Sequence, residues 1–154
     1  MLDTVRGLPT HVLLLHATVV LVPLTSLVTV VVAFWPRIRA VAAWPVVALN
    51  AVMVVMVWLT AQAGERLMVR LQGGGPLVAE HAALGNRLVY FALGLLATSV
   101  LVALLHRRGG VLRLGTGLLA TVVAIATLVW CFRVGESGAT AVWRDVVANT
   151  TAGS

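Results

Sequence analysis

Lysine is absent from this 154-residue chain: all 11 basic residues are arginines, and only five acids stand against them. Charged residues make up 10% of the sequence and hydrophobic ones 60%, against about 25% and 45–50% in a soluble domain. With a mean hydropathy of +1.03, that shortage of charge excludes an ordinary water-soluble fold. The single cysteine, Cys131, excludes a disulfide framework and any cysteine-based zinc or iron–sulfur site. Gly73-Gly74-Gly75-Pro76 has no Lys-Ser/Thr after it, so it is a turn and not a phosphate cradle. There is no HExxH and no G-x-S-x-G, which argues against a zinc protease and a serine hydrolase. Glu80 stands directly before His81, about 100° away on a helix, so the Glu-x-x-His geometry of a di-iron carboxylate site is not available.

What is present is apolar sequence in lengths that cross a bilayer. About 20 apolar residues are needed, and four runs qualify, at about 11–35, 44–63, 82–105 and 112–133. The sequence predicts one all-α domain over residues 1–154, an integral membrane four-helix bundle. The first break is set by Trp35-Pro36-Arg37-Ile38-Arg39, and the second run opens on Trp44-Pro45 with proline in the first turn. Glu65 to Glu80 forms the one sizeable polar segment. A short interfacial helix is expected at about 141–148, with a frayed end beyond it. The first run is too long for a signal-peptide core and has no basic region before it, so it is expected to be retained.

Net charge of +6 is explained by topology here and implies no nucleic-acid partner. The loops after runs one and three carry Arg37, Arg39, Arg107, Arg108 and Arg113 and no acid. Every acid, including Asp3, falls on the other side, with Arg6 and the remaining arginines. The positive-inside rule then places both termini outside, in a multi-pass membrane protein. A homo-oligomer is allowed, its contact face hidden among the leucines and valines.

The candidate site is histidine. His11, His16 and His81 all fall at the outer end of the bundle, and His106 at the inner end. Imidazole is costly to bury in lipid without a partner, so each intramembrane histidine poses a functional question. His11 and His16 lie five residues apart, about 140° around a helix, and cannot face one point. His16 shares a stripe with Val20, Pro23 and Leu27; His11 shares one with Thr18, Thr25 and Thr29. His81 opens a stripe of Gly85, Leu88, Ala92, Ser99, Ala103 and His106, whose small residues serve helix packing or make room for a flat cofactor. Two neutral imidazoles from different bundle helices are a common way to hold a b-type haem. The expected axial pair is His16 and His81 on the haem iron, with His11 in reserve and Gly85 giving space to the macrocycle edge. A zinc site from His11, His16, His81 and a carboxylate is allowed by ligand type.

Three motifs together carry a family resemblance. Gly7-Leu8-Pro9-Thr10-His11 through His16 to Val22-Pro23 is the first. Gly64-Glu65 with Glu80-His81-Ala82-Ala83-Leu84-Gly85 is the second, and Gly138-Ala139 through Val142-Trp143 the third. In this order the chain resembles the bacterial membrane family called domain of unknown function 2231. The resemblance implies a four-helix membrane domain. It also implies a link to electron transfer, since some relatives are fused to a Rieske-type iron–sulfur domain. Relatives often have histidine where this chain has Glu136, which argues against a second haem. The expectation is therefore a haem b electron-transfer protein rather than a hydrolytic enzyme, with the bilayer and an iron–sulfur protein or quinone as partners. The alternative is a cofactor-free accessory protein whose outer histidine–carboxylate cluster takes a metal or protons.

Overall fold

A computed structural model describes residues 4–5 and 7–150. Asp3 and Arg6 of the charge count, and residues 151–154 of the expected frayed end, lie outside them. A two-residue hairpin opens the described chain, β1 (Thr4–Val5) pairing antiparallel with β2 (Leu8–Pro9). Gly7 between them takes φ +82°, a left-handed conformation that glycine adopts without a Cβ clash. Four helices follow: α1 (Thr10–Phe34), α2 (Pro36–Arg70), α3 (Gly75–Leu104) and α4 (Gly110–Asn149). Each contains an 18-residue window of mean hydropathy between 2.0 and 2.4, so all four are long and apolar enough to cross a membrane.

Short connections make sequential helices antiparallel neighbours. α1 packs on α2 and α4, α3 packs on α2 and α4, and the diagonal pair α1 and α3 meet only slightly. Large apolar side chains such as Val20, Leu27, Val122 and Phe132 point away from the bundle, while Thr18, Thr25, Ser26, Thr29, Thr98, Ser99 and Thr127 are buried. This is the inside-out economy of a membrane bundle: lipid solvates leucine as well as a core does, and small residues allow helices close approach. Several of these hydroxyls return to their own helix, as Thr29 Oγ1 does to the Thr25 carbonyl at 2.7 Å. Thr29 also accepts from the Asn50 amide at 2.9 Å, an α1–α2 bond near the bundle centre that fits the interhelical role of a mid-span asparagine.

Helix boundaries depart from the apolar runs in two ways. α2 begins at Pro36, directly after Trp35, because proline at the first helical position forfeits no hydrogen bond. Pro45, expected to open this helix, lies inside it. No separate helix forms at 141–148 either: α4 continues unbroken to Asn149. Gly135 and Gly138 cost only about 1 kcal/mol each in a helix interior, and Gly138 is used for packing. The polar segment Glu65–Glu80 is likewise mostly helical, its turn confined to residues 71–74, where Gln72, Gly73 and Gly74 have positive φ.

Arg39, counted above among loop charges, is 1% exposed. Its Nη1 donates to the Ala33 carbonyl at 3.1 Å. Nη2 donates to the Val102 and Leu105 carbonyls at 3.1 Å each, and lies 3.4 Å from Thr116 Oγ1. Ala33 and Val102 belong to the last turns of α1 and α3, and Leu105 caps α3. Carbonyls there have no intrahelical partner and carry the negative ends of the helix dipoles. One guanidinium thus ties α2 to the other three helices at the end opposite His11 and His81.

Candidate functional site

His11 sits in the first turn of α1, and its ring reaches α2: Nδ1 lies 2.9 Å from the Thr60 carbonyl oxygen. A carbonyl only accepts, so Nδ1 carries a proton, and in the neutral ring the lone pair is on Nε2. Beneath it Thr18 Oγ1 and Thr60 Oγ1 are 2.8 Å apart. Thr60 spends its hydroxyl proton on the Met56 carbonyl, so Thr18 is the donor to Thr60. His81, in the second turn of α3, reaches α4 in the same manner. Its Nδ1 is 3.1 Å from the Val134 carbonyl and 3.0 Å from Ser137 Oγ, whose own proton goes to Val134 at 2.9 Å. Again Nδ1–H is the donor and Nε2 is left with its lone pair.

The two rings meet across the bundle diagonal, centroids 6.2 Å apart and planes at 78°. Each lies on a glycine of the helix that anchors it. A Cβ on Gly64 would stand 3.0 Å from His11 Cε1, and one on Gly138 would stand 2.9 Å from His81 Cε1. These glycines are needed for lack of bulk. Gly138→Val is expected to push the His81 ring off Val134 and Ser137 and to lower stability by about 1–3 kcal/mol, the usual range for overpacking. Thermal unfolding in detergent would register the loss, and nitrogen-15 NMR of the imidazoles would show His81 leaving its fixed Nδ1–H tautomer while His11 keeps its own.

Two small cavities flank the pair, of about 70 and about 50 Å³. The first is walled by Gly64, Leu67, Met68, Leu71 and Val78, the second by Leu15, Thr18, Val57, Leu88 and Cys131. Ala61, Gly85 and both histidines border both. Gly85 therefore stands beside open space, and a Cβ there would touch nothing within 4 Å. Each cavity has room for a few water molecules.

The expected partner of His81 is corrected. His16 is exposed on the outer surface of α1 and bonds its own helix, Nδ1 to the Val12 carbonyl at 2.7 Å. The stripe it shares with Val20 and Leu27 faces away from the bundle, so the structure brings His11, the reserve ligand, to His81 in its place. His106 is at the opposite end, on the Ala103 carbonyl at 2.7 Å. Glu65 accepts from Asn86 Nδ2 at 2.8 Å, an α2–α3 bond that sequence reasoning did not find. Among the described residues no three histidine, cysteine or acidic side chains converge as a metal site, so the His11–His16–His81–carboxylate zinc set does not form.

Comparison with curated proteins and with solved structures gives no match. The family described as predicted membrane protein (DUF2231) matches residues 7–151, a stretch that includes all four helices, both members of the histidine pair and both glycines beneath them. The chain belongs to this family of predicted membrane proteins, DUF2231.

Proposed function

We propose that His11 and His81 are the axial ligand pair of a b-type haem, and that the protein is an electron carrier in the cytoplasmic membrane of a bacterium, with its histidine end on the outer face. The observation that carries this reading is the double anchoring. Two neutral imidazoles from diagonal helices are brought together with each Nδ1–H held by a backbone carbonyl. That outer hydrogen bond is the habitual companion of a metal-bound histidine, fixing its tautomer and orientation and leaving Nε2 to the metal. With ring centroids 6.2 Å apart, the Nε2 atoms of His11 and His81 are the nitrogens that would hold the iron.

A bound haem would supply one-electron chemistry; this chain's share is to hold the rings, shield them from water and set the polarity around them. Val57, Leu88 and Val134 give the inner side an apolar wall. The donor set fits a bis-imidazole iron. The space is tighter, since cofactor pockets run to about 300–1,000 Å³. A macrocycle would therefore require side chains around the pair, such as Leu67, Met68 and Leu71, to be displaced. The redox partner in this reading is an iron–sulfur protein or a quinone.

The cavity sizes favour one second reading, a bare transition-metal ion held by the same two imidazoles and water. Absorption spectroscopy and elemental analysis of protein purified after expression with haem supplied separate the two. A Soret band at one haem per chain supports the first. A colourless preparation with a stoichiometric metal supports the second. A colourless, metal-free protein overturns both in favour of an accessory role without a cofactor.

A further inference from the structure

A second site lies on the α3/α4 surface, apart from the histidine pair. Leu77, Glu80, Leu84 and Arg87 form one stripe of α3, at spacings of three, four and three residues. Trp130, Arg133, Ser137 and Thr140 form the facing stripe of α4, with Glu136 beside it. Between them is an open groove of about 360 Å³, several times the volume of the cavities at the histidines. Its floor is fixed. Trp130 Nε1 donates to the Leu84 carbonyl at 3.0 Å, the ring stacks on Phe91 with centroids 4.8 Å apart, and the Arg133 guanidinium lies 5.8 Å from the Trp130 ring centroid. Two guanidiniums and two carboxylates share this groove, yet among the described residues no ion pair joins them.

The order of the charges along the membrane normal identifies the ligand. α3 enters the bundle from the histidine end, so Arg87 lies about 10 Å deeper than Glu80. α4 runs the opposite way, so Arg133 lies about 4.5 Å deeper than Glu136. On both walls the cation is toward the membrane interior and the anion toward water. A phospholipid with a primary amine carries its charges in the complementary order, its phosphate next to the glycerol and its ammonium outermost. Guanidinium forks bind phosphate oxygens bidentately, and carboxylates accept from an ammonium N–H. Trp130 lies one turn deeper than Arg133 on α4 and Leu84 between Glu80 and Arg87 on α3, an apolar floor on which the glycerol and the first acyl carbons would rest, in keeping with the interfacial preference of tryptophan. We propose that this groove is a binding site for one zwitterionic, primary-amine phospholipid, phosphatidylethanolamine in chemistry.

Native mass spectrometry of the full chain, released from mixed micelles with equal amounts of phosphatidylethanolamine, phosphatidylcholine and phosphatidylglycerol, tests this. Choline has no N–H to give the carboxylates, and glycerol has no positive charge. One phosphatidylethanolamine should stay bound, about tenfold in excess over either competitor, as loss of a charge-assisted hydrogen bond implies. The double variant Arg87→Gln/Arg133→Gln should lower its retention by about tenfold. Glu80→Gln/Glu136→Gln should turn the preference toward phosphatidylglycerol, an exchange of selectivity that a loss of packing would not produce. All four side chains are exposed, and their replacement leaves the bundle interior intact. Equal retention of the three lipids, a wild-type preference for phosphatidylglycerol, or unchanged retention in the arginine variant would overturn the proposal.

Discussion

Replacing Arg39 with leucine should be the most destabilising single change at the end of the bundle away from His11 and His81, at about 3–5 kcal/mol, the range for removing one partner of a buried charged network. The side chain is 1% exposed and its guanidinium meets carbonyl oxygens of Ala33, Val102 and Leu105. No carboxylate is among these partners; the negative ends of two helices take that place. Leucine fills part of the volume but leaves the Ala33 and Val102 carbonyls without the guanidinium donor, while Leu105 keeps the Arg108 N–H at 2.9 Å; each buried unsatisfied group costs about 1–3 kcal/mol. Lysine keeps the charge, yet a single ammonium cannot reproduce the fork that spans α1, α3 and α4, so Arg39→Lys should recover only part of the loss. Arg37, two residues away and exposed, is the control: Arg37→Leu should change stability by no more than about 0.5 kcal/mol. Thermal unfolding of the three variants in one detergent measures this, and equal losses at positions 37 and 39 would contradict the latch.

Arg39 also shows where sequence reading stops. Four spans, their order and the small-residue stripe of α3 were legible, since hydropathy over 18 residues is a local property. Leu88, Ala92, Ser99 and Ala103 of that stripe are all buried. Arg39 read as a loop charge because it lies three residues after a proline; its burial depends on where the ends of α1 and α3 come to rest, and no local pattern encodes that. The lipid groove was illegible for the same reason. Its walls are about 50 residues apart in the chain, and their register is set by α3–α4 packing. α4 continues past Gly135 through the segment expected to be a separate helix at 141–148, and Gly138 within it is the surface on which His81 rests.

The choice between His11 and His16 is different, because the signal was present. Hydroxyl-bearing residues in a membrane helix mark its protein-facing side, where they find partners, and long aliphatic ones mark the lipid side. His11 shares its stripe with Thr18, Thr25 and Thr29, all buried; His16 shares its own with Val20 and Leu27, both more than 60% exposed. Reading the company each histidine keeps, rather than its depth, selects His11.

In protein expressed with haem supplied, His11→Ala and His81→Ala should each abolish bis-imidazole haem binding, and His16→Ala should leave the spectrum unchanged. An opposite pattern, loss with His16 and retention with His11, would restore the depth-based pairing and contradict the geometry in hand. The same three variants have a second readout that does not depend on a cofactor. His81→Ala removes a ring that bridges α3 to Val134 and Ser137 of α4, and His11→Ala one that bridges α1 to Thr60 of α2. Each loss should cost about 1–3 kcal/mol for the partners left behind. His16 bonds only its own helix and contributes nothing between helices. Ser137→Ala should fall between, because Nδ1–H of His81 keeps the Val134 carbonyl. If haem is bound, loss of the Ser137 contact alters the hydrogen bonding of the ligand imidazole, and the midpoint potential should move while the Soret band remains.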